Sequence, residues 1–451
     1  MIQTDDIIKL KIDSVSSDSN GVGRYEGMTV FVPNTVRGDV ILASVVKVNK
    51  TYAFARIEKI ITPSPYRTEG DCPICLECGG CAYRHMTYEE ELRVKHTAVC
   101  DALRRIGSVD CPVLPVMFSE TERYRNKAQY PVRSEEGQIK AGFFARRTHK
   151  VIPCDDCKLE PEEFSLITKA VIFFMQQHKI AAYDERTLTG IVRHIYLRKS
   201  SSSGEIHLCL VINSDKFPKK NDFVKFITSV NKNISGISLN FNNRDTNVIL
   251  SDRQELIYGK NCITDTLCEK TFNISPLSFY QVNHSATEIL YGEVKRLLDL
   301  KPGETLVDLY CGIGTIGICA AQKSTRLIGA EVVLCAVENA TENARLNGMK
   351  NAHFYYGTSA KLSRRFKAQG IKADAVTVDP PRKGLDGETI ENIVSFGAQR
   401  IVYVSCNPAT LARDLAAFSK LGYKAALAQP VDMFPRTTHI ETVVLLNKEN
   451  N

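Results

Sequence analysis

The C-terminal third of this chain constrains its fold most, because short apolar runs alternate there with helix-like segments. The runs are 304-ETLVDLY-310, 326-RLIGAEV-332, 374-DAVTVD-379, 400-RIVYVS-405 and 440-IETVVLL-446. That rhythm argues an α/β architecture, a doubly wound, Rossmann-like parallel sheet. Its first turn, 308-DLYCGIGTIG-317, sets Gly312, Gly314 and Gly317 in G-x-G-x-x-G spacing between a strand and a helix. Small residues are needed there because a ligand must approach the backbone closely.

The turn alone does not separate a nicotinamide dehydrogenase from a methyltransferase using S-adenosylmethionine. Glu331, about 20 residues on at the end of the second strand, suits ribose hydroxyls in either case. Asp308 and Asp379 near the strand ends favour a sulfonium cation over a pyrophosphate, which would want a long helix dipole. The loop 379-DPPRKG-384 adds consecutive prolines that stiffen the backbone beside the pocket. These features favour methyl transfer.

The segment 405-SCNPATLARDL-415 places Cys406 at the carboxyl edge of the sheet, with Asn407 as a helix N-cap and Pro408 at the first helical position. A helix N-terminus favours thiolate over thiol, which makes Cys406 a candidate nucleophile. A thiolate beside a methyl donor suits a carbon that reacts only after addition to its neighbour. C5 of uracil is such a carbon: addition of Cys406 at C6 creates an enolate at C5. Loss of the C5 proton then needs a base, and Glu441 in 438-THIETV-443 is the best placed carboxylate by order along the chain.

Upstream, 29-TVFVPNTVRGDVILASVVKVNKTYAFARIEKI-60 reads as a five-stranded barrel, with a β-sandwich fragment as the alternative, and 62-TPSPYR-67 as a linker. The run 87-TYEEELRVKHTAVCDALRRIG-107 reads as a helix with Leu92, Val99, Leu103 and Ile106 on one face and Gly107 as its C-terminal cap. Residues 112–265 are β-rich. Hairpins are expected across 200-SSSSG-204 and 242-NNRDTN-247. Residues 121–150 carry eight Lys/Arg against three Asp/Glu, with Tyr124, Tyr130, Phe143 and Phe144 interleaved and Arg146 and Arg147 at the end. Such a patch suits phosphates and unstacked bases, or equally a solvated strand face with core aromatics.

At 451 residues with 43% hydrophobic content, the chain fills several domains. No segment reads as a signal peptide or membrane span, so a cytoplasmic protein is expected. Fifteen cysteines, an odd number, then point away from a disulfide framework. A net charge of +7 permits a polyanionic partner without requiring one.

Four thiols, Cys72, Cys75, Cys78 and Cys81, lie in 72-CPICLECGGC-81. A zinc site could combine two of them with two from 154-CDDC-157. An iron–sulfur cluster would draw three neighbours and one distant cysteine, as in ferredoxin-type runs. The C-x3-C-x2-C spacing of a radical enzyme is absent from the run.

Taken together, 275-SPLSFYQVN-283, 308-DLYCGIGTIG-317, 379-DPPRKG-384, 405-SCNPATLARD-414 and 438-THIE-441 resemble the RNA uracil-5-methyltransferase family, most closely the branch acting on 23S rRNA. The likeness spans the whole chain, and the N-terminal barrel resembles a TRAM domain, an OB-like module. It implies Cys406 as nucleophile and Glu441 as base, with Gln281, Tyr310, Glu331 and Asp379 at the cofactor and uracil sites. It also implies a [4Fe–4S] cluster on Cys72, Cys78, Cys81 and Cys157, leaving Cys75 and Cys154 outside the pattern. Lys158 stands between Cys157 and Leu159, where the family has an apolar residue directly. The implied organisation is a barrel over 1–61, a central cluster-bearing domain over 68–85 plus 112–265, and a methyltransferase domain over 266–451 with helix 86–111 packed on it. RNA is the implied partner, with no membrane and no obligate protein partner, and a monomer is expected. The alternatives are 5-methyluridine formation in tRNA, and an RNA chaperone with a degenerate methyltransferase domain.

Overall fold

The structure is a computed structural model that describes residues 2–146 and 148–449, so Arg147 of the basic patch lies outside the described residues. The chain begins with a barrel of β1 (Ile7–Lys11), β2 (Ser14–Val15), β3 (Asn20–Tyr25), β4 (Met28–Pro33), β5 (Val40–Val48) and β6 (Tyr52–Thr62). The order is β1-β5-β6-β4-β3-β2, six strands where the sequence suggests five; the extra one is the two-residue β2. Ile8, Leu10, Val30, Val32, Ile41 and Ala43 alternate inward to form the core. A Cβ on Gly23 would lie 2.3 Å from the Lys11 carbonyl, so only glycine lets β3 cross the end of β1. The segment after β6 is no free linker. Ser64 donates its N–H to Asp39 Oδ1 at 2.8 Å, and Arg67 pairs with the same buried carboxylate.

The cysteine run holds the single turn α1 (Cys75–Cys78), followed by α2 (Tyr88–Ala102) capped by the Thr87 side chain. The helix then widens into a π turn over Leu103–Gly107 and ends at Ser108, whose φ of 49° makes it the left-handed cap in place of Gly107. The π turn rotates Ile106 out to solvent, 55% exposed. Gly107 serves a different need: a Cβ there would sit 2.5 Å from the Ala412 carbonyl.

The second sheet contains β7 (Lys127–Glu135), β8 (Gln138–Phe144), β9 (Val151–Pro153), β10 (Val192–Lys199), β11 (Ile206–Ile212), β12 (Ile234–Phe241) and β13 (Gln254–Gly259), ordered β13-β12-β11-β10-β7-β8-β9. Both expected hairpin pairs are antiparallel neighbours. Helices α3 (Glu162–Gln177) and α4 (Lys220–Val230) cover one face through Tyr130, Ile195, Leu197, Leu208, Phe164 and Phe223. Tyr124 and Tyr130 are buried, so these aromatics are core residues, while the intervening Arg125, Lys127 and Gln129 point the other way.

A hairpin of β14 (Ile263–Leu267) and β15 (Lys270–Ile274) and helix α5 (His284–Leu298) lead into the last sheet. It is built from β16 (Thr305–Leu309), α6 (Thr315–Ala320), β17 (Arg326–Glu331), α7 (Leu334–Leu346), β18 (Ala352–Tyr356), α8 (Ser359–Ala368), β19 (Ala375–Val378), α9 (Gly387–Ser395), β20 (Arg400–Ser405), α10 (Pro408–Lys420), β21 (Tyr423–Val431) and β22 (Glu441–Lys448). The order is β18-β17-β16-β19-β20-β22-β21. The sheet is therefore not wholly parallel: β22 inserts antiparallel between β20 and β21. The α2 residues Val99 and Ala102 and Leu103 of the π turn belong to the apolar core on one face of this sheet. Among the described residues, no helix is long and apolar enough to cross a membrane.

Candidate active site

The parallel strands of the last sheet end in step, Leu309 beside Ala330 and Val378, and Val378 beside Tyr403. The residues that follow therefore share one edge. Tyr310 leaves β16 with a left-handed φ of 65° and packs against the core, opening the turn that continues through Gly312 and Gly314. Glu331 closes β17, where its Oε2 accepts the Gly312 N–H at 3.0 Å and its Oε1 accepts those of Val332 and Val333. A Cβ on Gly312 would meet nothing within 4 Å, so the ground beside this carboxylate is open.

Asp308 is buried under the turn, accepting from Thr377 Oγ1 at 2.8 Å and from the Gly317 N–H at 2.9 Å. Burial pushes its carboxyl up to about 7, with Glu331 adding to the rise. Asp379, at the end of β19, is also pushed up to about 7 by burial and by Asp308. The stiff loop after it is tied to the next one, because the Arg382 carbonyl accepts from Asn407 Nδ2 and Thr410 Oγ1, each at 3.2 Å.

Cys406 follows β20, and Asn407 caps α10 by accepting from the Ala409 N–H at 3.0 Å. In the β20–β22 register Ser405 pairs with Thr442; Cys406 and Glu441 are the next residues beyond that pair, and the Glu441 carboxylate is near enough to act on the Cys406 thiol. Sequence order alone could not bring them together; the reversal of β22 does. The thiol is pushed up to about 11 by burial and by the carboxylates of Glu441 and Asp379, against the pull of Arg382. The direction is the opposite of the thiolate that the helix N-terminus leads one to expect from the sequence. Glu441 is buried, its Oε2 lacks a hydrogen-bond partner, and burial together with Asp379 holds its carboxyl well above the ordinary range.

Gln281 lies outside this edge in the segment joining the β14–β15 hairpin to α5, where it is buried and its carbonyl accepts from Asn126 Nδ2 at 3.0 Å. That bond ties the central sheet to the catalytic one.

Cys72, Cys78, Cys81 and Cys157 line one cavity of about 340 Å³, together with Cys154; Cys75 is not on its wall. Among the described residues no three His, Cys, Asp or Glu side chains form a site for a single metal ion. Arg84 donates to Cys81 Sγ at 3.4 Å and pairs with Asp71 and Glu122. The cysteine loop is fastened to the loop before Glu441, with the Ala82 N–H donating to the Arg436 carbonyl at 2.7 Å.

Residues 87–449 match the family described as tRNA (Uracil-5-)-methyltransferase. The chain belongs to this family. A TRAM domain matches residues 6–57 of the barrel. An uncharacterized RNA methyltransferase of Halalkalibacterium halodurans is 40% identical over 451 residues, covering 100% of this chain and 98% of that protein. One from Clostridium tetani is 39% identical over 438 residues, covering 97% and 95%. The solved Pyrococcus abyssi tRNA (uracil-54, C5)-methyltransferase, in complex with S-adenosyl-L-homocysteine, superposes with a TM-score of 0.77 at 26% identity, covering 97% of this chain and 99% of that one. As an RNA uracil-5-methyltransferase, this chain uses S-adenosylmethionine.

Sequence reading of this uracil-5-methyltransferase overlooked one buried network. Lys95 on α2 donates to Glu91 Oε1 at 2.7 Å and to Asp432 Oδ1 at 2.8 Å, with all three side chains at most 1% exposed. It anchors the loop that leads to Glu441. The i,i+4 spacing of Glu91 and Lys95 was the available signal; Asp432, from the far end of the chain, had none.

Proposed function

We propose that this methyltransferase forms 5-methyluridine in 23S rRNA through a covalent adduct between Cys406 and C6 of the target uracil. The observation that carries the reading is the cross-sheet placement of Cys406 and Glu441. Cys406 Sγ, once its thiol proton has passed to solvent, forms a bond to C6, and the electron pair of the C5–C6 double bond moves toward the C4 carbonyl. When bound, S-adenosylmethionine supplies the methyl group as a sulfonium electrophile, and C5 is the carbon that takes it. Glu441 then removes the C5 proton, the C5–C6 double bond re-forms, and the C6–S bond breaks with its electrons returning to Cys406. A buried carboxylate with a raised proton affinity is suited to that abstraction. Glu331, Tyr310, Asp379 and Gln281 are assigned to the cofactor and uracil, supported by the open ground at Gly312 beside the Glu331 carboxylate.

Cys72, Cys78, Cys81 and Cys157 would hold a [4Fe–4S] cluster, a reading supported by their shared cavity and by the Arg84 bond to Cys81. Methyl transfer at C5 needs no electron from it. Its role in this reading is structural: it stiffens the loop whose Ala82 is bonded to Arg436, five residues before Glu441. Nucleophile, base and cofactor residues all come from one chain, consistent with a cytoplasmic monomer that needs no protein partner.

A tRNA substrate is the second reading, favoured by the stated target of the Pyrococcus abyssi protein. Labelled methyl transfer to 23S rRNA and tRNA transcripts, followed by mapping of 5-methyluridine, tests both. Methylation of tRNA alone would overturn the rRNA assignment. Full activity of Cys406→Ala would overturn the covalent mechanism.

A further inference from the structure

On the face of the central sheet opposite α3 and α4, the chain gathers cations without partners. Lys127 on β7 stands directly across from Arg198 on β10, and Arg125 lies two residues before Lys127 on the same face. The neighbouring Arg123 and Lys199 are paired with Asp156 and Glu163. Among the described residues, Arg125, Lys127 and Arg198 form no ion pair. Arg198 is 2% exposed and holds its guanidinium 5.8 Å from the centre of the Tyr196 ring, yet its Nε and Nη1 have no hydrogen-bond acceptor. A buried donor left unmatched costs about 1–3 kcal/mol, so such a cluster is poised for an acceptor from outside.

The charges act on one another. Burial, Arg198 and Arg125 together push the Lys127 ammonium down to about 8. The carboxylate nearest in effect is Glu160, which burial pushes up to about 7 and which accepts from the Tyr130 hydroxyl. Position adds the second argument. Arg125 and Lys127 line the cavity that holds the cysteines, and Arg125 also helps hold down the protonation of His439, two residues before Glu441. The cluster thus lies between the cysteine loop and the catalytic loop.

We infer that Arg125, Lys127 and Arg198 form a binding site for a backbone phosphate of the RNA strand that carries the target uridine. The inference rests on the proposed reaction at Cys406 for where that strand runs. Three cations facing one way are suited to a phosphate oxygen, and nothing in the cluster reads a base.

The test is RNA binding by the full-length protein against salt concentration, using a short uridine-containing single-stranded RNA. Arg198→Gln and Lys127→Gln should each weaken binding about tenfold at physiological salt and flatten the plot of log affinity against log salt by about 0.7–0.9. Arg198→Lys should keep the wild-type slope. Affinity for S-adenosylhomocysteine and iron content should not change. Lys127→Gln, at a half-buried position, keeps the test decisive if Arg198→Gln fails to fold. Unchanged slopes would overturn the site. So would affinity losses that appear only in step with lost iron, since the cations would then be balancing the charge of the cysteine-bound cluster. Failure of the Cys406 chemistry would show separately, as methylation by Cys406→Ala with these slopes intact.

Discussion

Cys406 and Glu441 flank the last β20–β22 pair, Ser405 and Thr442, and the Glu441 carboxylate acts on the Cys406 thiol. Residues that flank the last pair of two bonded strands are near enough for both side chains to act on one ring. Glu441→Gln should therefore allow addition and methylation but stall release. A covalent protein–RNA complex that survives denaturing electrophoresis is expected, with turnover reduced about 1000-fold or more. Loss of turnover without trapped complex would place the base elsewhere.

The Cys406 thiol is pushed up to about 11 by burial and by its two carboxylate neighbours. Without RNA, alkylation of Cys406 by iodoacetamide should be slow at neutral pH. It should accelerate about tenfold per pH unit up to about pH 10, because the thiolate is the nucleophile. A rate already at its plateau near pH 7 would contradict this environment.

Asp308, raised to about 7 by burial, contributes to stability in a definite direction. Between its unfolded value of about 3.9 and its folded value, the native state holds the proton and the unfolded state does not. Its contribution is thus fully present below about pH 4 and is lost as pH rises to about 7. Compared with Asp308→Asn, the wild type should lose stability across that window with a slope of up to about 1.4 kcal/mol per pH unit, measured by urea melts. Stability rising relative to the variant would mean that the carboxyl is ionised in the fold.

The cysteine cavity separates the thiols into two groups. Anaerobically prepared protein should hold about four irons with broad thiolate-to-iron absorbance. Replacing Cys72, Cys78, Cys81 or Cys157 with alanine should each abolish it. Cys75→Ala should keep the iron, since Cys75 is off the cavity wall. Stoichiometric zinc without iron would overturn the assignment.

Lys95 is held between Glu91 and Asp432 in a dry interior. Lys95→Ala leaves two buried carboxylates without their cation and should cost about 3–5 kcal/mol in denaturant melts. Activity should fall even where the variant remains folded, because the Asp432 loop leads directly to Glu441. A variant as stable as wild type would show that the network contributes little.

Local chemistry made much of this protein legible in one dimension. The glycine turn, the Asn407 cap and the Cys406 position follow from short-range backbone rules, and the structure keeps each of them at the strand ends where they were expected. The errors lie where long-range packing prevails. Tyr124 and Tyr130 could be read from sequence either as aromatics for bases or as core; both are buried, Tyr130 in the core under α3 and Tyr124 with its hydroxyl donating to the Pro435 carbonyl. Gly107 read as a cap, but the crossing with α10 is what demands its missing side chain.

The sequence by itself determined the family and the glycine turn after β16, and it singled out Cys406 as the candidate nucleophile, since these rest on residues adjacent along the chain. Only the tertiary structure decided that Glu441 meets Cys406, that five thiols share one cavity without Cys75, and that Lys127 and Arg198 stand together unpaired. Each depends on strand register and order. A reversal such as that of β22 brings residues far apart in sequence into contact, and no local pattern of side chains encodes it.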